Sequence, residues 1–470
     1  SETQIQNVNS TNPPQEQLSS LLEYYKTGKY GDAEKIAMFI TQEFPKHQFG
    51  WKVLGAVLKK IGRISESLAA SQKSVQLAPQ DAEAHNILGN TFKTLGRLDE
   101  AVASYTKAIA LKADYLLAHY NLGNTLSELC RLKEAEVSYT QAITLKQDFV
   151  EAHFNLGNTL NRLGRLEEAE ASYTQAITLK PDFTSALMNR WQLLFDKREF
   201  DAALRDVDFC NTEISRVRSL ETLYALERID EIYNRIENQS ESDDKNLRMA
   251  AFSSFISARE KKETEHKFCR NPLSFIHYSN ISSHLGNSTE FVKEVIDELN
   301  NVKTIWEPLG KSALKGFVTT SEFNLFASPS GKLAQLKSII FDEIDAYYLK
   351  FRKESCSYIT KWPSKINLYG WHVVLKQQGC QTAHIHPSGW LSGVIYLKVV
   401  PPLGKDEGAI EFSLNGKNYY DVNSPSLTFQ PELGDIVFFP SSLHHRTIPY
   451  MTDTDRIIVS FDLMPEAAKQ

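Results

Sequence analysis

The chain is sparing with cysteine, has no long apolar run and carries little net charge. Each shortage removes a class of function. The five cysteines, at 130, 210, 269, 356 and 380, stand far apart and none forms a Cys-x-x-Cys pair. A disulfide framework wants an even set, and a thiolate zinc site wants that pairing, so neither is expected. A reducing, cytoplasmic setting fits such usage. No apolar run approaches the ~20 residues needed to span a bilayer, and Ser1 to Gln17 is polar, without the apolar core of a secretory leader. Lys and Arg number 52 against 58 Asp and Glu, a formal net charge of −6. That argues against a nucleic-acid binder, whose surface is usually basic. What remains is balanced, with 42% hydrophobic and 23% charged residues, the proportions of a folded globular chain. A length of 470 residues predicts two to four domains.

The first half repeats itself. Leu54-Gly55, Leu88-Gly89, Leu122-Gly123 and Leu156-Gly157 recur every 34 residues. Gly28, Gly62, Gly96 and Gly164 keep the same step, with Cys130 in the vacant slot, and Tyr105, Tyr139 and Tyr173 form another row. Small residues at fixed places let two helices approach, and a glycine at the turn ends the first of them. The units resemble tetratricopeptide repeats, about six of them: 16–49, 50–83, 84–117, 118–151, 152–185 and 186–217. The resemblance implies an all-α solenoid that binds a protein or peptide on its concave face. His85, His119 and His153 also follow the step. A packing position copied with the unit is expected, because successive units are too far apart to share one ion. Asn90, Asn124 and Asn158 recur too, with Asn121 and Asn155 one turn earlier. Residues at i and i+3 share a helix face, and an amide can both donate to and accept from a peptide main chain. These asparagines are candidate substrate contacts, with inter-repeat hydrogen bonding as the other reading.

From 218 the period is lost. Ser219 to Asn238, Met249 to Ala258, Glu290 to Val302 and Leu333 to Phe351 have helical spacing. A helical connector is expected over 218–314, followed by a C-terminal domain over 315–470, with 1–15 disordered. The overall class is α+β.

After Ile366 the apolar period becomes 2. Leu368–Leu375, Ser392–Val399, Ala409–Leu414, Asp435–Phe439 and Ile457–Leu463 read as short strands separated by turn residues, which suggests a barrel or jelly roll. His384-Ile385-His386-Pro387 lies among them, with His445 some 59 residues beyond His386. Alternate residues of a strand face one side, so His384 and His386 can look at one ion and His445 can join them. Arg456, Ile458 and Ser460 alternate on one strand face, and a buried Arg beside a hydroxyl is a receptor for a carboxylate.

These pieces resemble the iron(II)/2-oxoglutarate-dependent oxygenases. They are His384-Ile-His386-Pro387, Ser392-Gly-Val-Ile-Tyr-Leu397, Gly434-Asp-Ile-Val-Phe-Phe-Pro440, His445 and Arg456-Ile-Ile-Val-Ser460. Lys315 to Phe326 looks like the helical lead-in of a bacterial and phage-associated subfamily. The resemblance implies a hydroxylase that uses Fe(II), 2-oxoglutarate and O2. His384 and His445 would hold the metal, and Arg456 with Ser460 would hold the distal carboxylate of 2-oxoglutarate. Tyr369, Trp371 and Ser392 would line the cofactor pocket, and Trp390 is a further candidate for substrate contact. One residue departs from the pattern. The usual third ligand is a carboxylate, and its place is taken by His386. Three imidazoles could hold the ion, whose two positive charges a 2-oxoglutarate dianion would neutralise. Two could hold it with one position left open, as in the aspartyl/asparaginyl β-hydroxylases, which also combine tetratricopeptide-like helices with such a barrel. Glu411, on a nearby strand, could substitute. A repeat scaffold with a non-catalytic metal- or ligand-binding barrel, and a three-His dioxygenase independent of 2-oxoglutarate, stay as alternative functions. Neither a nucleic acid nor a membrane is expected as partner.

Overall fold

The computed structural model describes residues 12–308, 311–320, 322–401 and 404–465. The expected disordered segment, 1–15, falls largely outside them, and a helix already begins at Gln15. The chain divides into two compact units, Ser1–Glu199 and Phe200–Gln470.

The first unit is all helix. Its pairs run Gln15–Lys26 with Tyr30–Glu43, Gln48–Lys60 with Ile64–Leu77, Ala82–Thr94 with Leu98–Leu111, Leu116–Glu128 with Leu132–Leu145, and Val150–Arg162 with Leu166–Leu179. Thr184–Asp196 follows alone, because its expected partner, Phe200–Cys210, belongs to the second unit. The conserved step has a conformational cause. Gly28, Gly62, Gly96 and Gly164 adopt φ of +76°, +84°, +71° and +76° at the inter-helix turn, a region open to glycine and costly for other residues. Cys130 and Arg198 occupy the same row at φ +59° and +64°. The second glycine row serves packing. A Cβ on Gly89, Gly123 or Gly157 would come within 2.8 Å of the ring of Tyr105, Tyr139 or Tyr173.

The recurring polar residues are bonded inside the array. The Nε2 atoms of His85, His119 and His153 lie 3.0, 2.9 and 2.9 Å from the carbonyl oxygens of Pro79, Ala113 and Gln147, tying each first helix to the turn before it. Asn90, Asn124 and Asn158 each accept the hydroxyl of the tyrosine fifteen residues on, at 2.8 Å. Asn121 donates to Asn86 Oδ1 (3.1 Å), Asn155 to Asn124 Oδ1 (2.9 Å) and Asn189 to Asn158 Oδ1 (2.7 Å). The ladder therefore serves inter-repeat hydrogen bonding, with every one of these amides already engaged in at least one internal bond.

The second unit opens with helices Phe200–Cys210, Glu213–Ala225, Ile229–Gln239 and Leu247–Glu260. A turn with Glu227 at φ +58° splits what the sequence reads as one helix, Ser219 to Asn238. Among the described residues ten strands follow: β1 (His277–Asn280), β2 (Thr304–Trp306), β3 (Ala313–Thr319), β4 (Ile366–Gln381), β5 (Leu391–Lys398), β6 (Ile410–Ser413), β7 (Ser426–Phe429), β8 (Asp435–Pro440), β9 (His444–Thr447) and β10 (Arg456–Pro465). They form a seven-stranded sheet, β1-β8-β5-β10-β4-β3-β2, and a three-stranded sheet, β7-β6-β9. All ladders are antiparallel.

Two expectations are corrected here. Lys315 to Phe326 is not a helical lead-in: its first part lies in β3, where Gly316, Phe317 and Val318 pair with Leu375, Val374 and Val373. The helical connector likewise contributes β1 and β2 to the sheet edges. Both strands are short, of four and three residues, and β1 pairs with a segment about 160 positions away, so no local period marks them.

Alternation on β10 explains the layers. Val459, Phe461 and Leu463 join the apolar core built with Leu336, Ile340, Ile344 and Tyr347 of the helix Gly331–Phe351. Burying such side chains contributes roughly 1.5–3 kcal/mol each. Arg456, Ile458, Ser460 and Asp462 alternate with them and face the other way. On that side the small sheet is packed, with the rings of Phe412 and Phe439 4.9 Å apart across the two layers. No helix among the described residues is long and apolar enough to cross a membrane.

Candidate metal centre

Three imidazoles meet between the sheets. His445 lies on β9 opposite Phe412. His384 follows the end of β4 and exchanges two backbone hydrogen bonds with His445, both 3.1 Å. His386 is held two residues further by its N–H to Ser441 O, 3.0 Å. The segment is thus extended and aligned with β9 although only His384 bridges to it, and the two histidines share a side as a strand would place them. The ligand atoms of His384, His386 and His445 all lie within 4.8 Å of one another. The Nε2 atoms of His384 and His386 are 3.2 Å apart. Nitrogens bound to one ion at ~2.1 Å stand roughly 3 Å apart, so this spacing suits a shared metal.

The far side of each ring is anchored. Nδ1 of His384 is 2.7 Å from Thr382 O, Nδ1 of His386 is 2.6 Å from Asp462 Oδ1, and Nδ1 of His445 is 3.2 Å from Leu443 O. An oxygen acceptor at Nδ1 places the proton there and leaves the Nε2 lone pair for a metal. Burial, reinforced by His386, pushes the His384 imidazole down to about 3. His445 is held well below the ordinary value, first by burial and then by its two neighbours. Both rings are therefore neutral at physiological pH, the form that ligates.

No carboxylate belongs to the cluster among the described residues. Glu411 is spoken for: its oxygens accept from Arg446 at 2.8 and 3.1 Å. Arg446 follows His445 directly and so lies on the opposite face of β9. His444 also points away, its ring edge-on to Tyr419 at 5.8 Å.

Arg456 lies deeper, 1% exposed. Its Nη1 donates to Thr447 Oγ1 at 3.3 Å, two residues along β9 from His445, and its guanidinium covers the Tyr396 ring at 5.1 Å. Its buried Nε makes no hydrogen bond of good geometry, and the group that faces the guanidinium is the neutral Tyr396 hydroxyl. Burial pushes the guanidinium below its usual range. A buried cation without a carboxylate is costly, and the chemistry that satisfies it is an anion with two oxygens. Ser460 lies on the same strand face, between Arg456 and Asp462.

A cavity of about 460 Å³ opens onto His384 and His386, with Tyr369, Trp371, Met464 and Lys311 in its wall. One expected pocket residue, Ser392, and one candidate for substrate contact, Trp390, lie outside the cavity wall. Ser392 is fully buried behind His386, donating to Asp462 Oδ1 at 2.7 Å, with Ser441 Oγ a further 2.7 Å away. Trp390 is in the apolar core, where its indole N–H donates to Tyr358 O at 2.9 Å and its ring stacks on Tyr358, so it is closed to substrate. Asp462 is the residue that sequence reading missed. The signal was present, since it continues the alternating row Arg456, Ile458, Ser460.

Comparison with known families agrees with this geometry. A family model described as "Putative 2OG-Fe(II) oxygenase" matches residues 369–462, which contain the triad, Arg456 and Asp462. Repeat models match 89–129, 116–149 and 150–183. The chain carries tetratricopeptide repeats in its N-terminal half. At its C-terminus it carries a domain of the 2OG-Fe(II) oxygenase type. No curated protein matches the chain. Among solved structures, YrrB, titled a TPR protein with an unusual peptide-binding site, is 21% identical at a TM-score of 0.35, over 41% of this chain and 97% of that one. PilF of Pseudomonas aeruginosa is 20% identical at 0.37, over 44% and 96%. MamA is 23% identical at 0.32, over 34% and 93%.

Proposed function

We propose that the protein is an Fe(II)- and 2-oxoglutarate-dependent dioxygenase that hydroxylates a protein or peptide recruited by its repeats. The observation that carries this reading is the pairing of two preformed features: three imidazoles whose ligand atoms lie within 4.8 Å of one another, and a buried Arg456 on β10 that has no anionic partner among the described residues and bonds Thr447, two residues along β9 from His445. His384, His386 and His445 would hold the ion. Arg456 and Ser460 would receive the distal carboxylate of 2-oxoglutarate, and Tyr369 and Trp371 would shape the cavity between. Fe(II) there would supply the oxidative chemistry, coupling decarboxylation of 2-oxoglutarate to oxidation of a C–H bond. The chain's own work is to fix the imidazole tautomers through Thr382, Asp462 and Leu443, to orient the cosubstrate and to keep water from it. The repeats support a protein or peptide as substrate, because a stacked helical array offers an extended concave surface. Five free thiols and a requirement for ferrous iron suit a cytoplasmic setting. The test is succinate release from 2-oxoglutarate by the full chain. Release should require iron, and a full chain that releases no succinate from 2-oxoglutarate, or the same amount without iron, overturns the proposal.

A further inference from the structure

The triad lacks a carboxylate, yet a carboxylate stands directly behind it. Asp462 Oδ1 lies 2.6 Å from His386 Nδ1. It also accepts Ser392 Oγ at 2.7 Å, and Ser392 is linked to Ser441 at 2.7 Å. The side chains of Asp462 and His386 are only 11% and 10% exposed. The packing is built to admit this group: a Cβ on Gly389 would come 2.7 Å from Ser441 Oγ and 3.1 Å from Asp462 Cγ. The other two triad rings are anchored differently, each by a neutral main-chain carbonyl. Only His386, at the place where the family pattern has its acidic ligand, is backed by a charge.

We infer that Asp462 is the positioning residue of the metal centre, supplying through the His386 ring the negative charge that a directly bound carboxylate would bring. This rests on the proposal that the triad holds a metal. A carboxylate accepting from Nδ1–H fixes the tautomer, holds the ring plane and makes Nε2 a stronger donor. The centre then has three nitrogen ligands but an electrostatic balance close to that of two nitrogens and one oxygen. Ser392 and Ser441 hold Asp462 in turn, so the four residues form a chain of hydrogen bonds from the buried β5–β8 pair to the ion. Asp462→Asn separates charge from orientation, since an amide oxygen can still accept from Nδ1. Gly389→Ala does the reverse, keeping the charge and displacing it.

The experiment uses the full chain titrated anaerobically with Co(II) alone. It reads two quantities: the dissociation constant, and the exchangeable, hyperfine-shifted imidazole N–H resonances, three of which are expected in the parent. Asp462→Asn should weaken Co(II) binding 10- to 100-fold, the usual effect of losing such a partner. It should also shift one resonance strongly while the other two stay in place. Gly389→Ala should weaken binding and broaden that same resonance. Affinity within 2-fold of the parent and three unmoved resonances in Asp462→Asn overturn the inference. If that variant does not fold, Ser441→Ala decides, with the selective shift of one resonance expected and an unchanged spectrum fatal. A parent that binds Co(II) but, loaded with iron, releases no succinate from 2-oxoglutarate would sink the proposed function and leave Asp462 in its role.

Discussion

The repeat array and the two-sheet region use histidine in opposite ways. In the array each polar residue finds its partner within about one repeat: His119 bonds Ala113, six residues away, and Asn155 bonds Asn124, 31 residues away. In the sheet region remote partners join the local ones. His386 reaches Asp462 over 76 residues, and Ser312 Oγ approaches His384 Nε2 at 3.3 Å over 72. The array satisfies its polar groups internally and repeats the solution. The sheet region gathers three imidazoles and a guanidinium from separate segments and gives them neutral partners only on the cavity and core side, with no carboxylate in the cluster among the described residues. A recurrent histidine is therefore a packing device, and a convergent one with its lone pair free is a site.

The largest expected effect breaks this contrast at Arg456. Arg456→Met removes a buried cation that the protein itself does not neutralise. Affinity for 2-oxoglutarate should fall by more than 100-fold, a loss on the order of 3 kcal/mol for a charged, bidentate contact, as measured by calorimetry. The stability of the ligand-free protein should stay level or rise, because an apolar side chain of similar volume replaces an uncompensated charge. A large loss of stability without ligand would instead make Arg456 a structural residue.

Legibility follows the same division. The 34-residue step, the glycine turns and the strands from β4 to β10 that alternate cleanly were readable, because local period and local packing coincide there. HxH with His445 and Arg456 was readable because strand alternation projects them to one side. Asp462 sat on that same alternation, but its acidic side chain in an apolar run carries meaning only once His386 is known to face it. β1, β2 and β3 were not readable as parts of the sheet, since three to seven residues pairing with segments up to 161 positions away leave no local signature. Trp390 differed from expectation because its ring is claimed by the helix layer, whereas Ser392 does face the triad but is covered by His386 and Asp462.

Acidification sharpens the comparison next. His372 is buried on β4, with Nδ1 2.8 Å from Thr319 Oγ1, outside the triad. Burial pushes it down to about 4, against about 6.5 in an unfolded chain. As pH falls below 6.5 the unfolded state takes up the proton first, so stability is complete above that value and is lost progressively through pH 4. At about 1.4 kcal/mol per unit, the loss approaches about 3 kcal/mol. Urea unfolding of the metal-free protein should show His372→Gln with a shallower acid slope than the parent. Identical slopes would mean that the ring is protonated in both states or in neither.

A smaller effect is expected inside the array. Gly157→Ala places a Cβ 2.7 Å from the Tyr173 ring. Overpacking of this kind costs about 1–3 kcal/mol, more than the roughly 1 kcal/mol that alanine gains as a helix former. Thermal unfolding should move down while Co(II) affinity stays at the parent value. A coupled fall in metal affinity would show that the array and the site do not behave as separate units.

The smallest effect is a gain. Cys130 stands where the array has glycine in four other units, and it adopts the same left-handed turn at φ +59°. For an L residue that conformation costs roughly 1–2 kcal/mol, whereas glycine enters it freely but loses more freedom on folding. The balance favours Cys130→Gly by about 0.5–1 kcal/mol. The contact it gives up, Arg162 Nη2 to Cys130 Sγ at 3.3 Å, is exposed. Cys130→Ala is the control, since it removes the same sulfur and keeps the Cβ that makes the turn costly. Calorimetric unfolding should therefore rank Gly above Cys and Ala. Equal stability of the glycine and alanine variants would locate the cost in the sulfur, and the turn geometry would no longer account for the 34-residue glycine row.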